Sequence, residues 1–264
     1  MKSKKYINLL ILLLPLFVMA CKNSNTVSPT TTGAISAYFP NKDGNNYVYS
    51  IHTTDSTGGA ITGTRSATYS GTAIVNGISF QKEIDTLSFG VGNQVNLSYF
   101  QVSGDSVFFA LDTSGLSKII PDSLMPFISI DSKLKAFVLS FQSGSNWDVF
   151  NLGLKYGPLN FNLVNVKANY LGTEQLILNL SNGQSTQNAQ KINYVLTLTI
   201  PNKSNFFATP STYQYSATAW LVQNIGVVKW QGSGAVFSAF SGQGVNLADS
   251  TTTVSETLLS YSLK

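Results

Sequence analysis

The chain is short of reactive side chains. It has one cysteine (Cys21), one histidine (His52) and one arginine (Arg65), with three glutamates (Glu83, Glu174 and Glu256) and a charged fraction of 11%. A lone cysteine excludes any disulfide within the chain, so stability must come from packing and sheet pairing. A lone histidine removes the partners that a nucleophile–base pair or a His-rich metal site requires. No Gly-x-Ser-x-Gly elbow and no phosphate-binding glycine loop occurs, so no catalytic residue, metal or cofactor is assigned. Asp43-Gly44-Asn45-Asn46 looks like a fragment of a calcium loop, but the remaining ligands and the closing glutamate are missing, and a tight turn is expected. One arginine and no basic stripe leave no means of reading nucleic acid. Chemistry that needs only two carboxylates, such as glycan hydrolysis, survives these absences. Its candidate pair is Glu83 and Asp85, although the plain expectation puts both on a solvated strand face. His52 is expected to be an ordinary surface residue.

What is present begins at the start of the chain. Lys2, Lys4 and Lys5 precede the apolar run Ile7–Ala20, and Cys21 follows. The run has 14 residues, short of the ~20 that span a hydrocarbon core, and it contains Asn8 and Pro15. A basic start, a short apolar stretch and a small residue before the cut are the anatomy of a secretory signal, here residues 1–20. Val18-Met19-Ala20-Cys21 resembles a bacterial lipobox, departing from it at Met19. The resemblance implies that Cys21 is acylated and becomes the mature N-terminus, with membrane as its partner. Two or more acyl chains hold a protein stably where one does not. Lys22 in place of aspartate implies the outer membrane, and the lack of an acidic run after it favours the periplasmic face. Three of the sixteen basic residues fall within 1–20, so the net charge after cleavage is near neutral.

Residues 21–35, the cysteine and the polar run after it, read as a flexible tether. From 36 to 264 one β domain is expected, because period-two alternation runs almost throughout. Tyr47, Tyr49 and Ile51 share one face, and Ile192, Tyr194, Leu196, Leu198 and Ile200 share another. The phase slips between Phe161-x-Leu163 and Val164-x-Val166, which predicts a bulge at 163–164. Asn76-Gly77, Gly104-Asp105 and Asn182-Gly183 mark hairpin turns. The class is all-β and mainly antiparallel: roughly a dozen strands in a strongly curved half-barrel or barrel, with a short helical insert at 114–133 plugging the open side.

Three patches carry a resemblance. Tyr38-Phe39-Pro40 with Gly44 and Tyr47-x-Tyr49, then Gly144-x-x-Trp147, then Trp220 to Lys229 with Leu258-Leu259-Ser260-Tyr261, together resemble uncharacterised bacterial envelope lipoproteins, some similar to lipoprotein-carrier half-barrels. The chain departs from that pattern at Tyr47, where tryptophan is preferred, and at Gln223-Asn224. The resemblance speaks to fold more than to activity.

Seven of the nine aspartates precede Ser or Thr. Turn chemistry explains such pairs. Asp-(Ser/Thr)-(apolar or Thr) also resembles an envelope O-glycosylation signal, which marks Thr86, Ser106, Ser123 and Ser250. The aromatic surplus, with 12 tyrosines, 16 phenylalanines and 3 tryptophans, must mostly be core, with some left to line a concave site. Two functions follow: a non-catalytic binding or carrier lipoprotein for an apolar or glycan ligand, or a structural lipoprotein with a filled interior. A carboxylate-based glycan hydrolase is a distant third. No ligand-binding residue is assigned.

Overall fold

The computed structural model describes residues 35–54, 58–89, 92–110, 125–130, 134–157, 159–200, 209–240 and 252–264. The tether and Cys21 therefore lie outside the described residues, as do Ser123 and Ser250. Thirteen strands form one antiparallel sheet, in the order β6-β8-β9-β10-β11-β12-β13-β1-β2-β3-β4-β5-β7. In chain order the strands nearest the site are β1 (Asn46–Thr54), β2 (Ala60–Val75), β3 (Ile78–Ser88) and β4 (Asn93–Ser103). β5 (Ser106–Phe109), β6 (Ile128–Ile130) and β7 (Leu134–Val138) are short. β8 (Asn146–Tyr156), β9 (Leu159–Leu180), β10 (Gly183–Ile200), β11 (Ser211–Val222), β12 (Gly226–Ser233) and β13 (Thr253–Ser262) complete the sheet.

Most neighbouring strands are consecutive in the chain, and the last strand pairs with the first: Tyr47 lies opposite Tyr261 and Ile51 opposite Glu256. The sheet is open but tightly curled. The Trp147 indole on β8 donates to the Lys135 carbonyl on β7 at 3.2 Å, and the Tyr194 hydroxyl on β10 donates to the Ala136 carbonyl at 2.9 Å. The tip of the β9–β10 hairpin reaches β13, where the Ser181 amide donates to the Leu259 carbonyl at 2.8 Å. A large twisted sheet must curl in this way to bury one face.

Local chemistry sets the register. Asn76 and Gly77 both have positive φ, 51° and 78°, which is the turn that matches strand twist in a two-residue hairpin. On β9, Leu163 is the extra residue, since Leu152 faces Val164 while Gly153 faces Asn162. The bulge read from the phase slip is therefore present, and it turns Val164, Val166 and Ala168 inward. Two Gly-x-Asn/Ser turns occupy matching places. Tyr69 N donates to Asn45 O beside β1, and Tyr170 N donates to Ser145 O beside β8.

The short helical insert expected at 114–133 lies mostly outside the described residues. Of 114–133, the described part is a single 3-10 turn, Met125–Phe127, running into β6. The helix that covers the concave face is α1 (Gly234–Phe240). It starts at Ser233, whose hydroxyl accepts from the Ala235 amide at 3.3 Å, the chemistry of an N-cap. At seven residues it is far below the length at which helices stand alone. Packing holds it: Phe240 lies 5.0 Å from Tyr194, 5.3 Å from Phe109 and 5.4 Å from Trp230 between ring centroids.

Candidate functional site

Along the inward face of four adjacent strands, a belt of charge replaces the apolar core. On β13 the inward residues are Val254, Glu256 and Leu258; on β2 they are Gly63, Arg65, Ala67 and Tyr69; on β3 they are Glu83, Asp85 and Leu87. The Arg65 guanidinium forks onto Glu256, with Nε to Oε1 at 3.0 Å and Nη2 to Oε2 at 3.1 Å. Its Nη1 donates to Asp85 Oδ1 at 2.6 Å and lies 3.5 Å from Glu83 Oε1. The Tyr49 ring lies beneath it, 4.5 Å from centroid to Cζ. Arginine suits such a place, being planar, permanently charged and weakly hydrated. The Ser98 hydroxyl donates to the second Asp85 oxygen at 3.3 Å.

Three carboxyls face one guanidinium, so the cluster does not neutralise itself by ion pairing alone. Burial, and then the Asp85 charge, push the Glu83 carboxyl up to about 8, opposed by Arg65 and by a hydrogen bond with Tyr69. Glu83 therefore keeps its proton at neutral pH. Burial also raises Glu256, opposed by Arg65. Tyr47, Tyr49 and Tyr69 are pushed up chiefly by burial and stay neutral donors. The Tyr47 hydroxyl donates to the Pro40 carbonyl at 2.8 Å and the Tyr49 hydroxyl to the Val227 carbonyl at 3.0 Å.

This cluster forms one wall of a cavity of about 80 Å³, room for roughly half a dozen waters. Phe39, Phe100, Phe137, Trp230, Phe237 and Phe240 form the aromatic wall. Trp230 is 5% exposed, and its indole Nε1 has no hydrogen-bond partner among the described residues. Buried donors are rarely left so. The other two tryptophans are satisfied, Trp147 by Lys135 and Trp220 by Glu174.

The sequence patches at Phe39-Pro40, Tyr47-x-Tyr49 and Gly226-Val227 all meet at this cavity. The expectation for Glu83 and Asp85 is overturned: they are 8% and 1% exposed, because Arg65 on the neighbouring strand supplies the counter-charge that lets them leave water. The signal was present as single charges flanked by apolar or small residues at i±2, as in Val254-x-Glu256-x-Leu258. His52 is exposed on the outward face, as expected. Asp43–Asn46 is a turn leading into β1, with Gly44 at φ 84°. Among the described residues no group of three or more His, Cys, Asp or Glu is arranged to hold a metal ion. Of the two described O-glycosylation candidates, Ser106 is buried and donates to Asp105 at 2.9 Å, out of a transferase's reach in the folded chain. Thr86 lies half-buried on the other face of β3 from Asp85.

No family model matches the chain, and no curated protein matches it. Several solved structures do. One is described as an exported protein with a YmcC-like fold from Bacteroides fragilis, with 12% identity, a TM-score of 0.41, and coverage of 85% of this chain and 98% of that one. Another, described as a lipoprotein from Parabacteroides distasonis, has 12% identity, a TM-score of 0.40 and the same coverage. The hypothetical lipoprotein YmcC of Escherichia coli has 12% identity and a TM-score of 0.29, covering 81% of this chain and 84% of that one.

Proposed function

We propose that the chain is an envelope lipoprotein, anchored in the outer membrane through acyl chains on Cys21 and facing the periplasm, that binds a small ligand between its concave sheet and α1. The observation that carries this reading is the unpartnered Trp230 indole in the wall of a cavity whose other wall holds Arg65, Glu83 and Glu256. A core built only for stability has no use for an orphaned donor beside an ion cluster, since both cost free energy that apolar packing avoids. Binding is favoured over hydrolysis because Arg65 holds Asp85 and Glu256 in ion pairs at 2.6 and 3.0 Å, which commits both carboxyls to the protein.

A second reading rests on the cavity's modest size and on the close stacking behind its wall, where Trp230 packs on Tyr194 at 5.2 Å and 28°. On that reading the protein is a structural lipoprotein with a nearly filled interior. Native mass spectrometry of the acylated chain extracted from its own membrane separates the two. A reproducible bound mass supports binding, and repeated recovery of the empty chain supports the structural role.

A further inference from the structure

A second cavity of about 260 Å³ lies further along the same four strands, where the inward residues turn apolar. Each strand makes the same change. β13 passes from Glu256 to Val254, β1 from Tyr49 to Ile51, β2 from Arg65 to Ile61, and β3 from Asp85 to Leu87. Gly63 stands between Arg65 and Ile61, and a Cβ there would meet the Ser88 carbonyl oxygen at 2.4 Å and the Phe89 ring at 2.6 Å. The space a side chain would take is filled by the β3 backbone and by Phe89, which lines the second cavity. Among the described residues, Phe237 of α1 is the one that lines both cavities. It is half-buried, edge-on to Trp230 at 6.1 Å between centroids. The two spaces together reach the lower end of the range of small-molecule sites, about 300–1,000 Å³.

We propose that the two cavities are one site for an amphiphile with a hydroxyl-bearing, uncharged head and a single alkyl tail, the head beside Trp230 and Glu256 and the tail beyond Phe237. This rests on the binding reading above and names its ligand class. Phe237 lines both chambers, and a rotation of its side chain would join them. An anionic head finds no free cation, since the one guanidinium beside the cavity is committed to Glu256 and Asp85. An ammonium head has no acceptor for the Trp230 indole. Hydroxyls do both tasks, accepting from the indole and donating to a carboxylate. The tail follows from the second chamber, where Ile51, Ile61, Leu87 and Val254 offer apolar wall beside the uncharged Thr53, Thr54, Gln94, Ser238 and Thr252, and no charged side chain lines the space among the described residues.

The test uses the full chain with three probes, in calorimetric titration below the micelle concentration: n-octyl β-D-glucoside, glucose and octanoate. Octyl glucoside is expected to bind at least tenfold more tightly than either of the others. Ile61→Trp, at the rim of the apolar chamber and 36% exposed, should weaken octyl glucoside at least fivefold while leaving the fold intact. Trp230→Phe should weaken it about as much through loss of the indole donor. Glucose binding as tightly as octyl glucoside would overturn the two-chamber site and leave the binding reading standing. Octanoate binding equally well would overturn the uncharged head. Failure of all three probes would overturn this inference, and the native mass measurement then decides the binding reading on its own.

Discussion

Arg65 and Glu256 stand 191 residues apart in the chain, yet their side chains meet in a two-bond fork across β1. The fork links the second strand to the last, and Tyr49 between them packs beneath the guanidinium. One contact thus joins the beginning of the sheet to its end, and the same contact sets the polar wall of the cavity.

Removing one partner leaves a buried charge unpaired, which typically costs on the order of 3–5 kcal/mol. Glu256→Ala is therefore expected to lower the stability of the folded domain by about that amount in urea unfolding. Lys191→Ala, which removes a half-exposed pair with Glu174, should cost about 1 kcal/mol or less. Equal losses in the two variants would contradict the role given to the buried fork.

The Glu83 carboxyl, held at about 8 in the folded chain, sits near 4.3 when unfolded. Between those values the folded state keeps a proton that the unfolded state has released. The stability this provides is fully present below about pH 4 and is lost as pH rises toward 8, at no more than about 1.4 kcal/mol per pH unit. Glu256, raised in the same direction, adds to the trend. Glu83→Gln should flatten the fall in urea midpoint between pH 5 and 8. A midpoint that rises with pH in the parent chain, unchanged in the variant, would count against the buried acid.

Gly232 tests the close approach that brings α1 into place. It lies opposite Ala217 at φ 150°, and a Cβ there would sit 2.3 Å from the Ala217 Cα. Only displacement of the β11 or β12 backbone would make room. Gly232→Ala is expected to cost about 1–3 kcal/mol and to loosen the helix that follows at Gly234, seen as faster amide exchange in 235–240. Gly77→Ala, with nothing within 4 Å of its added Cβ, should leave that exchange unchanged.

Anchoring is tested at Cys21. Cys21→Ala should move the chain from the detergent phase to the aqueous phase in cloud-point partitioning, or leave it unprocessed. Partitioning equal to that of the parent chain would exclude acylation at this residue.

The sheet was legible where one physical rule acted alone. Alternation gave the strands, Asn76-Gly77 gave a turn whose φ values suit it, and the phase slip at Leu163 gave the bulge. The site was not legible, because its residues obey two rules at once. Arg65, Asp85 and Glu256 occupy inward positions by parity but belong outside by charge, and only their adjacency across β1, β2, β3 and β13 resolves the conflict. Periodicity shows which face a residue takes, but not which strand comes to lie beside it. The helix α1 was missed because Ala235-Val236-Phe237-Ser238-Ala239-Phe240 is apolar on every side, so no helical face marks it, and only the cap at Ser233 could have.

The most direct test of the account uses the three tryptophan indole protons, each resolved in a nitrogen–proton correlation spectrum and assigned by single Trp→Phe variants. Trp147 and Trp220 already donate to protein acceptors, and Trp230 has none among the described residues. Addition of n-octyl β-D-glucoside below its micelle concentration should shift the Trp230 indole signal to a saturating end point and leave the other two within linewidth. A Trp230 signal that stays in place while the others move, or that does not respond at any concentration, would contradict the cavity as the binding site for this ligand class.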